Sequence, residues 1–190
     1  MEPSARKPLL FDRRYWPFFW TQFSGAFNDN FFKNALVILV LYSEINVFGL
    51  GYESFTALAS AVFILPFFLF SATGGQLADR YEKGKLIRWI KTAEIGIMGV
   101  AAVGFLTGQY ELLLVVLFMM GAQSAFFGPV KYGILPQISD EDQLVGANAL
   151  VEMATYIAIL LGTIIGGVVI NLKKIRRHEQ VTENRIFAEA

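Results

Sequence analysis

The sequence contains no cysteine and a single histidine, His178. Disulfides and thiolate metal sites are therefore excluded, and one imidazole cannot build a metal centre. Charge is scarce: Asp, Glu, Lys and Arg make up 17% of the 190 residues, and the formal net charge is zero. A chain so balanced has no electrostatic footprint for nucleic acid. No Gly-x-x-x-x-Gly-Lys-Ser/Thr loop is present to cradle nucleotide phosphates, so ATP-driven chemistry by the chain itself is not expected. No metal site and no cofactor is expected.

What the sequence has instead is apolar length. Hydrophobic residues make up 55% of it, above the ~45–50% usual for soluble domains, and they are gathered into long blocks. Five segments, at about 17–43, 54–78, 86–107, 111–136 and 144–172, each reach the roughly 20 residues that cross a ~30 Å hydrocarbon core as a helix. The expected fold is an all-α membrane protein: a short cytoplasmic segment over 1–16, a transmembrane helical bundle over 17–172, and a polar tail over 173–190. The first segment is too long for the apolar core of a cleaved signal peptide and is interrupted by Asp29 and Lys33, so it reads as a retained helix.

Lys and Arg mark the cytoplasmic side of short loops. Arg6, Lys7, Arg13 and Arg14 precede the first segment, which places the amino end in the cytoplasm. The turn from Glu44 to Glu53 lacks cations and fits the outside. DRYEKGK from Asp79, followed by Arg88 and Lys91, fits the inside, and TGQYE at Thr107 the outside. SDEDQ at Ser139 belongs inside by alternation, although it is acidic. Trp16, Trp20, Tyr42, Tyr52, Tyr81 and Trp89 lie near segment ends, as interfacial aromatics do. The tail breaks the alternation, because Lys173, Lys174, Arg176 and Arg177 follow a segment that should emerge outside. The fifth segment does not fully cross, or the tail lies along a surface, or the last residues are not a native continuation; the third reading is preferred.

The first segment carries unusual polarity: GAFNDNFFKNALVILVLY, Gly25 to Tyr42. Charge at the bilayer centre costs ~2.5–3.5 kcal/mol on insertion scales, so such residues normally pair, face the bundle interior or line water. Asp29 and Lys33 stand at i, i+4, acid before base, the favourable order for a local pair. Asn30 and Asn34 repeat the spacing about 100° around the helix. The four make either a self-neutralised pair within the bundle or one broad polar face on a central hollow shared with segments four and five. Lys131 sits late in the fourth segment, where Gly128 and Pro129 should weaken the helix. Glu152 follows Asn148 by one turn in the fifth. Both are candidates for the hollow or for a structural ion pair. Arg88, Lys91 and Glu94 read instead as interfacial side chains whose heads reach for water. Gly96, Gly99, Gly104 and the Gly162-x-x-x-Gly166 pair read as close-packing positions.

The second turn, GGQLADRYEKGK, resembles the loop signature of the major facilitator superfamily through Gly75, Leu77, Ala78, Asp79, Arg80 and Lys85. Gly75 would admit a neighbouring helix closely, and Asp79 would sit as an anion where helix two ends, within reach of Arg80, Lys83 or a helix terminus. By that resemblance, Gly75, Asp79, Arg80 and Lys85 form a latch that holds one state of a rocking carrier. The FNDN–K and GPVKYGILP stretches, with LVGANALVEMATYIAILLGTIIGG, are similar to the lysophospholipid transporter family and to the transporter half fused to some lysophospholipid acyltransferases, over about Arg14 to Gly167.

The resemblance implies a bacterial inner-membrane carrier of lysophospholipid, such as lysophosphatidylethanolamine, delivering it for re-acylation. Asp29 would face the ammonium and Lys33 or Lys131 the phosphate, with Asn30, Asn34, Asn148 and Glu152 beside them. Phe27, Phe31, Phe32, Phe63, Phe67, Phe68, Phe126 and Phe127 would accommodate the acyl chain. Its partners would be the bilayer, the lysolipid, and an acyltransferase or a second transporter half. Family members have about twelve helices in two halves, so the chain reads as a shortened form. A general facilitator-type exporter of drugs or metabolites shares the same loop, and a non-functional fragment is a further alternative. An enzyme is not expected: no His-x-x-x-x-Asp acyltransferase pattern follows His178.

Overall fold

The structure, a computed structural model, describes the backbone of residues 8–43 and 47–189 and the side chains of 8–42 and 47–172. Arg6, Lys7, Glu44 and the side chains of Lys173, Lys174, Arg176, Arg177 and His178 lie outside the described residues. Five long helices follow a 3-10 turn at Leu9–Phe11: α1 Trp16–Ser43, α2 Tyr52–Arg80, α3 Lys83–Thr107, α4 Tyr110–Ile138 and α5 Leu144–Glu189. No strand occurs among the described residues. α5 runs on as helix through the polar stretch that was expected as a tail.

Four stretches are long and apolar enough to cross a membrane: α2, α3, α4 and Glu141–Leu172. α1 has the length, at 28 residues, but Asn28, Asp29, Asn30, Lys33 and Asn34 interrupt its apolar run, and it is not among these four. Its place in the bundle comes from packing, chiefly against α5 along its length. α4 is the central helix, packed mainly on α2 and α3, and it is buried on several faces, from Leu113, Val116 and Leu117 to Val130, Ile134 and Leu135.

The connections are tight. Tyr81 and Glu82 alone join α2 to α3. Between α3 and α4, Gly108 takes a left-handed conformation (φ 68°) that few other residues adopt cheaply, and Gln109 N–H closes on the Gly104 carbonyl at 3.0 Å. The weakening expected at Gly128 and Pro129 is not realised as a break: α4 is continuous through both, and through Pro136. A proline removes one helical hydrogen bond, and the rest of the ladder keeps α4 helical through both sites.

The apolar core is divided. One cluster joins Phe32, Leu36, Phe55, Ile97, Leu117 and Met120 towards the α1 C-terminal end. Another joins Tyr15, Phe18, Phe127, Leu135, Ala147 and Val151 towards the α1 N-terminal end. In the second, Tyr15 donates its hydroxyl to the Ala147 carbonyl at 2.9 Å, and burial pushes that phenol up to about 12. The buried polar side chains Gln22, Asp29, Glu94 and Gln123 lie between or beside these two clusters. At the periphery Trp16, Trp20, Tyr42, Tyr52, Tyr81 and Trp89 are all exposed, as interfacial side chains would be.

Small residues set the helix spacing. A Cβ on Gly162 would stand 2.5 Å from the Phe27 carbonyl oxygen, and one on Gly166 would stand 2.9 Å from that of Phe31, so the Gly162-x-x-x-Gly166 pair lets α5 lie backbone to backbone on α1. Gly121 does the same for α4 on α2, at 2.3 Å from the Phe63 oxygen. Gly104 packs on Leu113, but Gly96 and Gly99 meet nothing. Gly75 also meets nothing, and the close approach belongs to its neighbour Gly74, 3.1 Å from the Ala125 oxygen. One residue along a helix turns the side-chain direction by about 100°, which is enough to move the contact from one glycine to the next.

Candidate functional site

Asp29, Glu94, Gln123 and Ser124 fall near the midpoints of α1, α3 and α4. Depth alone makes them expensive in a bilayer, so the groups that satisfy them matter. Asp29 is 7% exposed. Ser124 Oγ donates to one of its oxygens at 2.5 Å, and Gln123 Nε2 reaches the other at 3.5 Å. Gln123 Nε2 also bonds Ser124 Oγ at 3.0 Å, while Gln123 Oε1 is buried with no partner among the described residues.

The local pair that the spacing of Asp29 and Lys33 allows is not made. The carboxylate turns to the neutral donors of α4, and Lys33 lays its ammonium over the Phe63 ring of α2, 5.4 Å from the centroid. Asn30 and Asn34 turn a third way. Asn30 Nδ2 bonds the Ala26 carbonyl at 2.9 Å. Asn34 Nδ2 bonds the Asn30 carbonyl at 2.8 Å and Thr163 Oγ1 of α5 at 3.1 Å. The single polar face anticipated on α1 is thus divided among three neighbours.

A second cluster gathers where α4, α5 and α1 meet. Lys131 Nζ lies 3.4 Å from Glu152 Oε1 and donates to Thr155 Oγ1 at 3.1 Å. The Tyr132 hydroxyl donates to the same Glu152 oxygen. Thr155 Oγ1 donates to Gln22 Oε1 of α1 at 3.1 Å. Asn148 stays out of this network, bonding the Leu144 carbonyl at 2.8 Å. Seven residues of α4 separate Ser124 from Lys131, a rise of about 10 Å.

A third arrangement was not anticipated as a site. Lys91 and Glu94, expected at the interface, form an ion pair at 2.6 Å with side chains only 19% and 10% exposed. Asn28 Nδ2 of α1 donates to the other Glu94 oxygen at 3.3 Å, and the Lys91 ammonium sits 4.5 Å from the Phe127 ring centroid. A Cβ on Gly25 would stand 2.2 Å from Lys91 Nζ, so this glycine makes room for the charge. The signal available in the sequence was depth. Glu94 is eleven residues beyond Lys83, the first of α3, close to the middle of a 25-residue helix and too deep for its head to reach the surface.

At the end of α2, Asp79 and Arg80 are exposed. Lys85 pairs with Glu82 at 2.9 Å, and Asp79 has no ion-pair partner among the described residues. Lys83, another candidate partner, instead lays its stem on α4, where a Cβ on Gly133 would stand 2.7 Å from its Cε. The proposed latch is therefore unengaged within this bundle. No cluster of three metal-ligating side chains occurs among the described residues.

Comparison with known proteins gives a consistent picture. A family model described as Major Facilitator Superfamily matches residues 18–175. Curated relatives include the lysophospholipid transporter LplT of Photorhabdus laumondii, 34% identical over 147 residues, covering 77% of this chain and 34% of that protein. The LplT of Escherichia fergusonii is 32% identical over 154 residues, covering 80% and 35%, and that of Escherichia coli O1:K1 is 34% identical over 150, covering 77% and 34%. The chain spans about a third of the length of the curated relatives it matches. No solved structure matches it.

Proposed function

The chain belongs to the major facilitator superfamily, and from that premise we propose that it is the amino-terminal bundle of a carrier that moves lysophospholipid across a bacterial inner membrane, its amino end in the cytoplasm. Its role is transport rather than catalysis. The observation that carries this reading is Asp29, a carboxylate held at mid-depth by neutral donors only. No cation pairs with it among the described residues, so its oxygens have a cationic partner to gain, such as the ammonium of a zwitterionic head.

Lys131 is the counterpart for the phosphate. Its ammonium is held loosely by Glu152 at 3.4 Å, and an arriving phosphate would compete for it through a shorter charge-assisted bond. The rise of about 10 Å between the two clusters is too long for one head group to bridge comfortably, so they act in succession along the path. Asn34 and Asn148, bonded within their own helices and to α5, shape the walls. Lys33 is turned towards α2 and Phe63 and contributes field rather than contact. Alternating access needs an opposing bundle, against which Asp79 and Arg80 would engage, and an acyltransferase would consume the delivered lysolipid.

The test is uptake of radiolabelled lysophosphatidylethanolamine into vesicles holding the chain together with the carboxy-terminal half of a full-length relative, scored as label that albumin no longer extracts. Asp29→Asn and Lys131→Gln should each lower uptake at least tenfold while inserting normally. Wild-type uptake by both variants would overturn the reading.

A further inference from the structure

Gln123 Oε1 has no partner among the described residues, and it is shut off from the surface by the chain itself. A helix outside this chain therefore cannot reach it. An unmet buried acceptor costs on the order of 1–3 kcal/mol, so this amide is short of a donor or a cation. The other end of the amide is weakly held. Its Nε2 lies 3.5 Å from Asp29 Oδ1, at the outer limit of a hydrogen bond.

Asp29 carries the complementary need. It is buried and accepts from Ser124 Oγ, yet no cation touches it among the described residues. The two charges that act on it, those of Glu94 and Lys91, are opposite in sign and spent on each other at 2.6 Å. Lys33 lies over Phe63 instead. A carboxylate at this depth is expensive without a counter-charge. A water would satisfy hydrogen bonds here, but it would leave that charge uncancelled.

A half-turn of the Gln123 amide exchanges its oxygen and nitrogen without changing the shape of the side chain. Oε1 then stands where Nε2 stood, 3.5 Å from Asp29 Oδ1 and 3.0 Å from Ser124 Oγ. The Ser124 proton stays on Asp29 Oδ2, and the serine lone pair that accepted from Nε2 is released. Bare oxygens at these spacings repel one another unless a cation lies between them. Oxygens hold Ca²⁺ at roughly 2.3–2.6 Å, which puts neighbouring ligands about 3.3–3.7 Å apart. Na⁺ has nearly the same radius, so the longer spacing fits it and the shorter has to open only slightly. A divalent ion would overfill a site with one carboxylate, and K⁺ would force the helices apart. The amide nitrogen inherits the unpartnered position, so one unmet atom replaces another and the attraction of the ion is the net gain.

The geometry points to a sodium site that bridges α1 and α4 through Asp29, Gln123 and Ser124. The site itself needs no lipid. Its role rests on the lysophospholipid reading above and deepens it: the ion holds the place that the head-group ammonium takes, so arrival of the lipid releases sodium.

The experiment measures binding of radioactive sodium to the chain in a neutral maltoside detergent, with N-methylglucamine as the only other cation. Saturable binding is expected, with K⁺ displacing the label at least tenfold less effectively than Na⁺. Asp29→Asn should lower binding at least tenfold and Gln123→Leu at least fivefold. Lysophosphatidylethanolamine should displace the ion at least fivefold better than lysophosphatidylglycerol, which has no ammonium. Absence of saturable binding would overturn the sodium site and leave the carrier reading to its own uptake test. Full binding by Asp29→Asn would overturn the assignment to these residues. Binding that neither lysolipid disturbs would overturn the exchange while the ion site stands. Where a variant elutes as aggregate, the infrared difference between Na⁺ and K⁺ forms of the unaltered chain decides: a shifted carboxylate stretch is expected, and a flat difference spectrum would overturn the site.

Discussion

The two faces of α1 are held by different means. Against α5 the contact is chiefly backbone on backbone, with Gly162 and Gly166 laid on the Phe27 and Phe31 carbonyls and the Asn34–Thr163 and Thr155–Gln22 bonds beside it. Towards α3 and α4 it is polar, made by Asn28 to Glu94 and by Ser124 and Gln123 to Asp29. In lipid there is no hydrophobic drive to bring helices together, so association comes from close packing or from hydrogen bonds. The bundle uses the first where parts need to stay put and the second where chemistry is exposed. Close packing tolerates no added atoms. A polar contact can be exchanged for another polar partner.

The sharpest way to break that contrast is Gly162→Leu. A Cβ alone would already stand 2.5 Å from backbone, and backbone cannot rotate away. The variant should lose its monodisperse peak in size-exclusion chromatography altogether. Next in size is Glu94→Ala, which strands the Lys91 ammonium. Breaking one member of a buried pair costs ~3–5 kcal/mol, which should appear as a large fall in unfolding midpoint. The double variant Lys91→Met with Glu94→Leu should recover most of that loss, because an apolar replacement of the whole pair is often neutral. If the double variant is as unstable as the single, α3 is held against α1 by something other than the pair.

A smaller effect separates two adjacent glycines. Gly74→Ala meets the Ala125 oxygen at 3.1 Å and should cost on the order of 1 kcal/mol, whereas Gly75→Ala points into open space and should be neutral or slightly stabilising. The smallest is Asn34→Ala, which removes one interhelical bond to Thr163. Such bonds average about 0.6 kcal/mol in membranes, a shift that needs replicate denaturation curves to resolve.

These contrasts also show what the sequence could tell. α2, α4 and the apolar part of α5 are legible as uninterrupted apolar runs, because length and composition alone decide a spanning helix. The odd polarity of α1 is equally plain. What each polar residue of α1 faces is not, since that depends on the rotation of a helix among neighbours the sequence does not order. Asp29, Asn30 and Lys33 therefore look like one surface and prove to address α4, their own helix beside α5, and α2 respectively. Lys131 and Glu152 each stand inside an apolar run, so the sequence leaves them the hollow or an ion pair, and they lie 3.4 Å apart. Lys91 and Glu94 escaped because they follow a basic turn, and proximity along the chain to Lys83, Lys85 and Arg88 disguised how far α3 had already risen.

One mechanical consequence follows from the glycine contacts. α1 and α5 interlock along their backbones, so the acid of each polar cluster, Asp29 on one and Glu152 on the other, rides on the same rigid body. Their partners Ser124, Gln123, Lys131 and Tyr132 all ride on α4. A shear of that helix pair past α4 would therefore uncouple both clusters in a single stroke, as teeth on one rack leave a common gear together.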